Sequence, residues 1–123
     1  MRREELYLRD IVEAADAIAR FIEGAPRAKF LRNDLLRSAV LQKLTIVGEA
    51  AARLPGSFRK SHPAVEWADV AAFRGLAVHA YFAVDWTIVW TTAIDDAPRI
   101  RQAVADILAA EFAAEPSDGS VAD

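Results

Sequence analysis

An amphipathic helix is encoded by residues 4–23, EELYLRDIVEAADAIARFIE. Apolar side chains recur there three and four positions apart, with charged side chains between them, as in a helix that buries one face. The apolar positions are Leu8, Ile11, Val12, Ala15, Ile18, Ala19 and Ile22. Gly24 and Pro26 then supply an end for this helix and a start for the next. Since no alternating run typical of a β-strand follows, the chain is predicted to be all-α.

The middle of the chain predicts two further helices joined by a loop. The second helix is expected at residues 27–54, with a break where Asn33 can cap a new segment. Residues 55–66 are expected to form a long irregular connection, in which His62 is an exposed turn residue. A third helix is expected to begin near Trp67.

The last third of the chain predicts the remaining helices of the bundle. Asp85 can cap a fourth helix, from which Ile88 and Val89 are expected to point inward. A separate final helix is expected to open at residues 96–98. Because short connections join antiparallel helices, the overall prediction is an up-down bundle of four to five helices.

The length and composition predict one domain that associates with itself. A chain of 123 residues normally forms a single core, expected here at residues 1–114. Residues 115–123 are small, polar and acidic, and they are expected to be a disordered tail. The apolar share of 54% is high for a small domain, so a homodimer is predicted to cover part of the surface.

Charge and cysteine content argue against several classes of protein. The net charge is −3 and the isoelectric point about 5.4, which disfavours a protein that coats nucleic acids through bulk charge. The chain has no cysteine, which excludes disulfides and thiolate metal sites. It also lacks a signal-peptide core at residues 1–5 and an apolar stretch long enough to span a membrane, so a soluble cytoplasmic protein is expected.

The octet at residues 74–81, RGLAVHAY, gathers three chemically useful side chains. Arg74 is a permanent cation suited to phosphate oxygens, His79 titrates near neutral pH, and Tyr81 is a phenol. Without an acidic cluster for a metal, this set fits metal-free cleavage of RNA, and no metal or cofactor is expected. His79 would take the proton of the ribose 2′-hydroxyl, and Arg74 would stabilise the charge on phosphorus.

The spacing within the octet restricts how such a site could be built. On a continuous helix, residues five apart diverge by about 140°, so Arg74 and His79 would point in different directions. A joint site needs the helix to end or bend near residues 77–79, or a second octet across a two-fold axis. A purely structural alternative remains open. In it, His79 is a core residue whose hydrogen bonds are satisfied, the Tyr81 hydroxyl is solvated, and the protein is a helical dimer without catalytic activity.

The octet and its surroundings resemble a known family, the HepT-type toxins of the HEPN superfamily. The octet is similar to the Arg-x4-His-x-Tyr signature of that family. Residues 44–50, LTIVGEA, resemble the Ile-Gly-Glu-Ala run of its second helix. His62-Pro63 followed by Trp67 resembles a proline-rich lead into a tryptophan, and residues 84–90 resemble the next helix.

The resemblance implies a HEPN-like four-to-five-helix bundle that forms a homodimer. It implies a metal-independent endoribonuclease acting on RNA, with Arg74 and His79 as the catalytic residues. It also implies a toxin–antitoxin module, whose antitoxin is an MNT-type nucleotidyltransferase. In some members that antitoxin attaches AMP to the tyrosine matching Tyr81, and steric complex formation is the other route to neutralisation.

The chain departs from the family pattern at two positions. Gly75 stands where the family commonly carries asparagine or another polar residue, and Glu66 replaces the proline that often precedes the tryptophan. The first departure removes a hydrogen-bonding side chain beside Arg74. The alternative function is therefore a catalytically weak or inactive HEPN protein that binds a nucleotidyltransferase.

Overall fold

The computed structural model describes residues 2–78 and 84–112, and within these ranges every regular element is helical. The helices are α1 Arg3–Ile22, α2 Arg27–Arg32, α3 Asp34–Arg53, α4 Gly56–Ser61, α5 Trp67–Ala71, α6 Gly75–Val78, α7 Trp86–Thr91 and α8 Ala97–Glu111. A 3₁₀ turn, Ala72–Arg74, joins α5 to α6, and a π-helical segment, Thr92–Asp96, joins α7 to α8. The all-α prediction is therefore confirmed.

The long helices α1, α3 and α8 form the body of the bundle. The first part of α1 packs with the last part of α3, as expected for antiparallel neighbours, and α8 lies against α1. The main core cluster lies among α1, α3, α5 and α8. Its buried members include Leu8, Ile11, Val47, Ala51, Leu54, Trp67, Val70, Ile100, Val104 and Phe112. The three-and-four spacing in α1 predicted the burial of Leu8, Ile11, Ala15 and Ile18 correctly. It was wrong for Ala19, which is exposed, and it missed the buried Ala14 and Ala17.

A second core cluster fills the other end of the bundle. It brings together the last turns of α1, helix α2, the first half of α3, and the residues around α7. Its buried members are Ile18, Phe30, Val40, Leu44, Val89, Ala93 and Ala97, and its half-buried members include Leu76, Val84, Trp86 and Trp90.

Two predicted helix boundaries are confirmed by their capping interactions. The Asn33 side chain accepts a hydrogen bond from the Leu36 amide at 3.0 Å, which begins α3 and separates it from α2. The Asp85 carboxylate accepts from the amides of Thr87 and Ile88 at 3.1 and 3.2 Å, which begins α7. Each cap satisfies amide groups that the first turn of a helix leaves without partners.

The predicted irregular connection at residues 55–66 is wrong in part, because it contains α4. Pro55 holds the extended backbone of a helix N-cap, and its carbonyl accepts from the Arg59 amide at 3.1 Å. Phe58 then anchors this short helix, with its ring centroid 4.3 Å from that of His62 and 6.3 Å from that of Trp67. The sequence pattern missed the helix because six residues show too little periodicity.

The final helix is continuous with α7 instead of separate from it. The π-helical segment carries the chain from α7 directly into α8, and Pro98 lies in the first turn of α8, where its missing amide is tolerated. Ile88 was expected to point inward but is 50% exposed, whereas Val89 is fully buried as expected. The register of a six-residue helix shifts by one position too easily for the sequence pattern to decide it.

The described helices contain none that is both long and apolar enough to cross a membrane. The extent of the single domain at residues 1–114 stays a prediction. The expected tail at residues 115–123 lies outside the described residues, and its disorder is a prediction as well.

Candidate functional site

Arg74 is the one predicted catalytic residue that the described ranges contain. It ends the 3₁₀ turn and is exposed, while its neighbour Phe73 is half-buried and contacts both core clusters. The ion pairs of the described residues do not include Arg74. The turn is thus anchored by a phenylalanine, and Arg74 is exposed to solvent.

The backbone of Arg74 is positioned by a close approach to Gly48 in the middle of α3. A Cβ atom at position 48 would lie 2.5 Å from the Arg74 amide nitrogen, 3.1 Å from the Ala71 carbonyl oxygen and 3.2 Å from the Phe73 carbonyl carbon. The first distance is shorter than real Cβ atoms show, so only glycine allows the turn to lie directly on α3. The sequence alone does not predict this role of Gly48. The one signal for it is a lone glycine inside a predicted helix, where glycine normally costs stability.

Gly75 differs from Gly48, because none of the described residues around it requires a glycine. Outside its own helix, no heavy atom of the described residues lies within 4 Å of a Cβ atom placed at Gly75, and the backbone φ angle is −74°. A larger side chain can therefore be placed there without a clash. The glycine at position 75 therefore removes a polar side chain that the fold itself would accept.

His79 and Tyr81 lie outside the described residues, so their roles stay predictions. The chain on either side of them is well anchored against α3. Arg74 meets α3 at Gly48, and Trp86 lies under Arg37, with the guanidinium carbon 4.7 Å from the ring centroid. These two points on α3 are eleven positions, or about 16 Å, apart.

Of the predicted bend near residues 77–79, residues 77 and 78 belong to helix α6 and residue 79 lies outside the described ranges. A change of helical geometry does occur earlier, at the 3₁₀ turn that ends with Arg74. This turn precedes residues 75–78, which are α-helical, so the described part of the octet after Arg74 follows helical geometry. The direction of His79 relative to Arg74 stays a prediction.

Glu49 follows Gly48 but faces a different part of the molecule. It is half-buried and lines a small groove between α1 and α3 with Tyr7, Asp10 and Arg53. The carboxylate is thus placed on the α1 side of α3, whereas Arg74 approaches Gly48 from the α5 side. Glu49 is not part of the candidate site.

The groove nearest to Phe73 carries the wrong charge for RNA. It has a volume of about 330 Å³ and lies between α5 and α8. Its charged side chains are Glu66, Asp69, Asp96 and Arg99, and Arg99 donates to Asp96 at 2.7 Å. Three carboxylates against one engaged guanidinium would repel a phosphodiester.

His62 is a structural residue and not the exposed turn residue that was expected. Its Nδ1 hydrogen-bonds the Phe58 carbonyl at 2.9 Å, its Nε2 pairs with Glu111, and its side chain is 14% exposed. Burial lowers the pKa of His62, but the hydrogen bonds to Phe58 and Glu111 raise it above the usual 6.5 overall. The side chain links α4 to the end of α8, away from Arg74.

Over residues 2–78 and 84–112, no three histidine, aspartate or glutamate side chains converge as a metal site would require. This observation does not cover His79, so the predicted metal independence stays a prediction.

Comparison with known sequences assigns the family. The family described as "Ribonuclease HepT-like" matches residues 11–107, which include Gly48, Arg74 and the whole octet. The chain belongs to this family of ribonucleases. The predicted resemblance to HepT-like HEPN proteins and the prediction of an endoribonuclease are thereby confirmed.

Relatives of this HepT-like ribonuclease align over most of their length. "Probable ribonuclease HepT" of Thermococcus cleftensis is 35% identical over 100 residues, which cover 81% of this chain and 91% of the relative. "Putative RNase MJ1380" of Methanocaldococcus jannaschii is 31% identical over 103 residues, covering 84% and 94%. The comparison with solved structures found no significant match.

Proposed function

We propose that this HepT-like ribonuclease is the toxin of a toxin–antitoxin module and cleaves RNA without a metal ion. Arg74 binds and stabilises the reacting phosphate, and His79 acts as general base. The active sites lie in a cleft between two copies of the chain. A nucleotidyltransferase antitoxin neutralises the toxin, with Tyr81 as the residue that receives AMP.

The proposed reaction uses the nucleophile within RNA itself. The 2′-oxygen attacks the adjacent phosphorus and loses its proton to His79, while the bond from phosphorus to the 5′-oxygen breaks. The leaving 5′-oxygen gains a proton from the second His79 of the dimer or from water. The Arg74 guanidinium stabilises the extra negative charge on the phosphorane. The products are a 2′,3′-cyclic phosphate, or its hydrolysed form, and a 5′-hydroxyl.

The observation that supports this proposal best is the packing of the Arg74 turn on Gly48. A group that stabilises a transition state must be held in place before the reaction. The close approach to Gly48 fixes the backbone of Arg74, while its exposed side chain stays free to meet a phosphate. The family match covers residues 11–107, a range that includes Arg74.

The shared cleft is supported by exposed apolar residues on the described helices. Ile88 is 50% exposed, Ile94 is 42% exposed and Leu6 is 47% exposed. A two-fold dimer that covers part of this surface would bring two octets together and concentrate two arginines and two histidines in one place. This arrangement would create local positive charge on an otherwise acidic protein.

The AMP transfer proposed for Tyr81 follows from the chemistry of the site. Each attached AMP adds bulk and negative charge where an RNA phosphate has to bind, and repulsion would then prevent cleavage. Incubation with the nucleotidyltransferase, Mg²⁺ and ATP should add whole AMP units and silence cleavage together. Tyr81→Phe should block the mass increase, and neutralisation that persists without it would favour the steric route.

The test of the proposed function is RNA cleavage in EDTA by protein freed of any antitoxin. We expect the wild type to cut single-stranded RNA, His79→Ala to be inactive, and Arg74→Ala to be about 10²–10³-fold slower, as for loss of an oxyanion-stabilising donor. Lys60→Ala serves as the control, because Lys60 is an exposed cation on α4, outside the candidate site. Cleavage that survives both octet substitutions and requires a metal would contradict the proposal.

A second candidate function is favoured by one observation, the glycine at position 75. Because the backbone there would accept a side chain, the missing polar group points to reduced catalysis and not to a structural need. In that case the protein acts by binding a nucleotidyltransferase. The wild type would then fail to cut RNA in EDTA yet form a stable complex with that enzyme.

A further inference from the structure

Helix α2 carries three cations within six residues of an otherwise acidic protein. Its six residues include Arg27, Lys29 and Arg32 and no acidic residue, whereas the whole chain has a net charge of −3. All three cations are exposed, while Phe30 is fully buried and fixes the helix to the second core cluster. The cations are thus displayed on a rigid support.

These cations are not committed to ion pairs within the described residues. Arg27 donates a weak hydrogen bond to the Thr87 hydroxyl at 3.5 Å, at the start of α7. Two neighbouring carboxylates are engaged elsewhere: Asp34 pairs with Arg37, and Asp85 caps α7. The charge of α2 is therefore available to an anionic partner.

An apolar groove with an aromatic side chain adjoins Lys29, one of the three cations. The groove has a volume of about 410 Å³, and its lining includes Lys29, Glu23 at one rim, Phe21, which is 37% exposed, and Leu35, which is 82% exposed. Cations beside an exposed aromatic ring are typical of surfaces that bind single-stranded nucleic acid, because phosphates meet the charges and a base stacks on the ring.

The position of α2 connects this surface to the octet. After the octet the chain passes under Arg37 at Trp86, and Thr87 then contacts Arg27. Thr87, six positions after the octet, therefore lies directly beside α2. In the groove beside Phe73, three of the four charged lining residues are acidic, and they would repel RNA.

We propose that Arg27, Lys29, Arg32 and Phe21 form a binding surface for the sugar–phosphate backbone of single-stranded RNA, next to the cleavage site. This inference rests on the proposed function and names the surface that holds its substrate. The surface contacts parts of the RNA other than the reacting phosphodiester. It therefore lowers KM, whereas kcat depends on Arg74 and His79.

The test is binding of a short fluorescein-labelled single-stranded RNA to the His79→Ala protein, by anisotropy over a salt series in EDTA. We expect Lys29→Gln/Arg32→Gln to weaken binding about tenfold near physiological salt. The slope of log affinity against log salt should fall by about 0.7 for each lost phosphate contact. Phe21→Ala should weaken binding about fivefold or more, as for one base stacked on a ring.

A matched control removes the same amount of charge at the opposite end of the bundle. Arg3 at the start of α1 and Lys60 in α4 are exposed, and α3 between the two ends is about 30 Å long. Arg3→Gln/Lys60→Gln should bind RNA as the parent does. Lys29→Arg/Arg32→Lys, which keeps the charges, should also bind RNA as the parent does. In the active protein, Lys29→Gln/Arg32→Gln should raise KM without changing kcat.

Equal effects of the two charge-removing pairs would overturn the proposal, since bulk charge would then explain binding. Unchanged RNA binding with an altered sedimentation coefficient would also overturn it, because the α2 surface would then be a contact between protein copies. If the wild type binds RNA through α2 but does not cut it, the proposed function fails while the surface stands. If it cuts RNA and the α2 variants bind normally, the surface fails alone.

Discussion

Gly48 and Arg74 meet backbone to backbone, so closely that a methyl group on Gly48 would lie 2.5 Å from the Arg74 amide nitrogen. A glycine in the middle of α3 therefore sets the position of the residue proposed to stabilise the reacting phosphate. This contact makes Gly48 a positioning residue, because it acts on the reaction only through the backbone that carries Arg74.

Gly48→Ala should displace the Arg74 turn. Overpacking costs about 1–3 kcal/mol, against a gain of about 1 kcal/mol from the better helix propensity of alanine, so a modest net loss of stability is expected. The rate of RNA cleavage should fall by more than tenfold, because small displacements of a catalytic group are costly. Urea unfolding and steady-state cleavage measure the two effects.

The matched control for this variant is Gly56→Ala, since a Cβ atom at Gly56 has no heavy atom within 4 Å. It should leave both stability and cleavage near wild-type values. A Gly48→Ala protein with wild-type kcat would show that the contact does not position Arg74.

Gly75→Asn should be accepted by the fold, because the space around Gly75 is open. If the missing polar side chain limits catalysis, this variant should cut RNA several-fold faster than the wild type, with a change in unfolding free energy of about 1 kcal/mol or less. Gly75→Ala fills the same space without a polar group and should not raise the rate. Equal rates for all three proteins would mean that position 75 takes no part in catalysis.

Removal of either helix cap should lower the stability by a similar amount, but the two removals should affect RNA cleavage differently. Asn33→Ala and Asp85→Ala each remove hydrogen bonds to the first turn of a helix, at a cost of about 1 kcal/mol. Asp85 begins α7 directly after the octet segment, so its loss should also slow RNA cleavage. Asn33→Ala should not, and a comparison of urea midpoints with kcat/KM for both variants checks this.

His62 should make the stability of the protein depend on pH. Its hydrogen bonds to Phe58 and Glu111 raise its pKa above 6.5 despite burial, so the protonated form contributes stability that is fully present below that pH. This contribution should be lost as the pH rises through the raised pKa. Urea unfolding from about pH 5.5 to about pH 8.5 should show the loss in the wild type, and a smaller loss in His62→Gln and Glu111→Gln. A His62→Gln protein with an unchanged pH profile would contradict this assignment.

The sequence predicted the long helices and their caps because these features are local. The apolar spacing of α1, the cap at Asn33 and the C-terminal glycine at Gly24, whose φ is +72°, each depend on a few neighbouring residues. The site was predicted only in part. The role of Gly48 depends on a contact with Arg74, 26 positions away, and no local pattern reports such a contact.

Other predictions from the sequence were wrong for the same reason, because they depended on contacts between residues far apart in the chain. His62 was expected to be exposed because it precedes a proline, but its pairing with Glu111 on α8 buries it. The π-helical segment at Thr92–Asp96 lets α7 run into α8, where Pro98 had indicated a new helix. Both outcomes were decided by tertiary packing, which overrides local preference.

The central claim is that the octet catalyses RNA cleavage in which the 2′-hydroxyl of the RNA itself is the nucleophile. The most direct measurement compares an RNA oligonucleotide with the same sequence carrying 2′-O-methyl groups, both in EDTA, with mass analysis of the fragment ends. The account predicts cleavage of the unmodified RNA only, fragments ending in 2′,3′-cyclic phosphate or its hydrolysed form, and no cleavage by His79→Ala. Cleavage of the 2′-O-methyl RNA, or undiminished cleavage by His79→Ala, would contradict it.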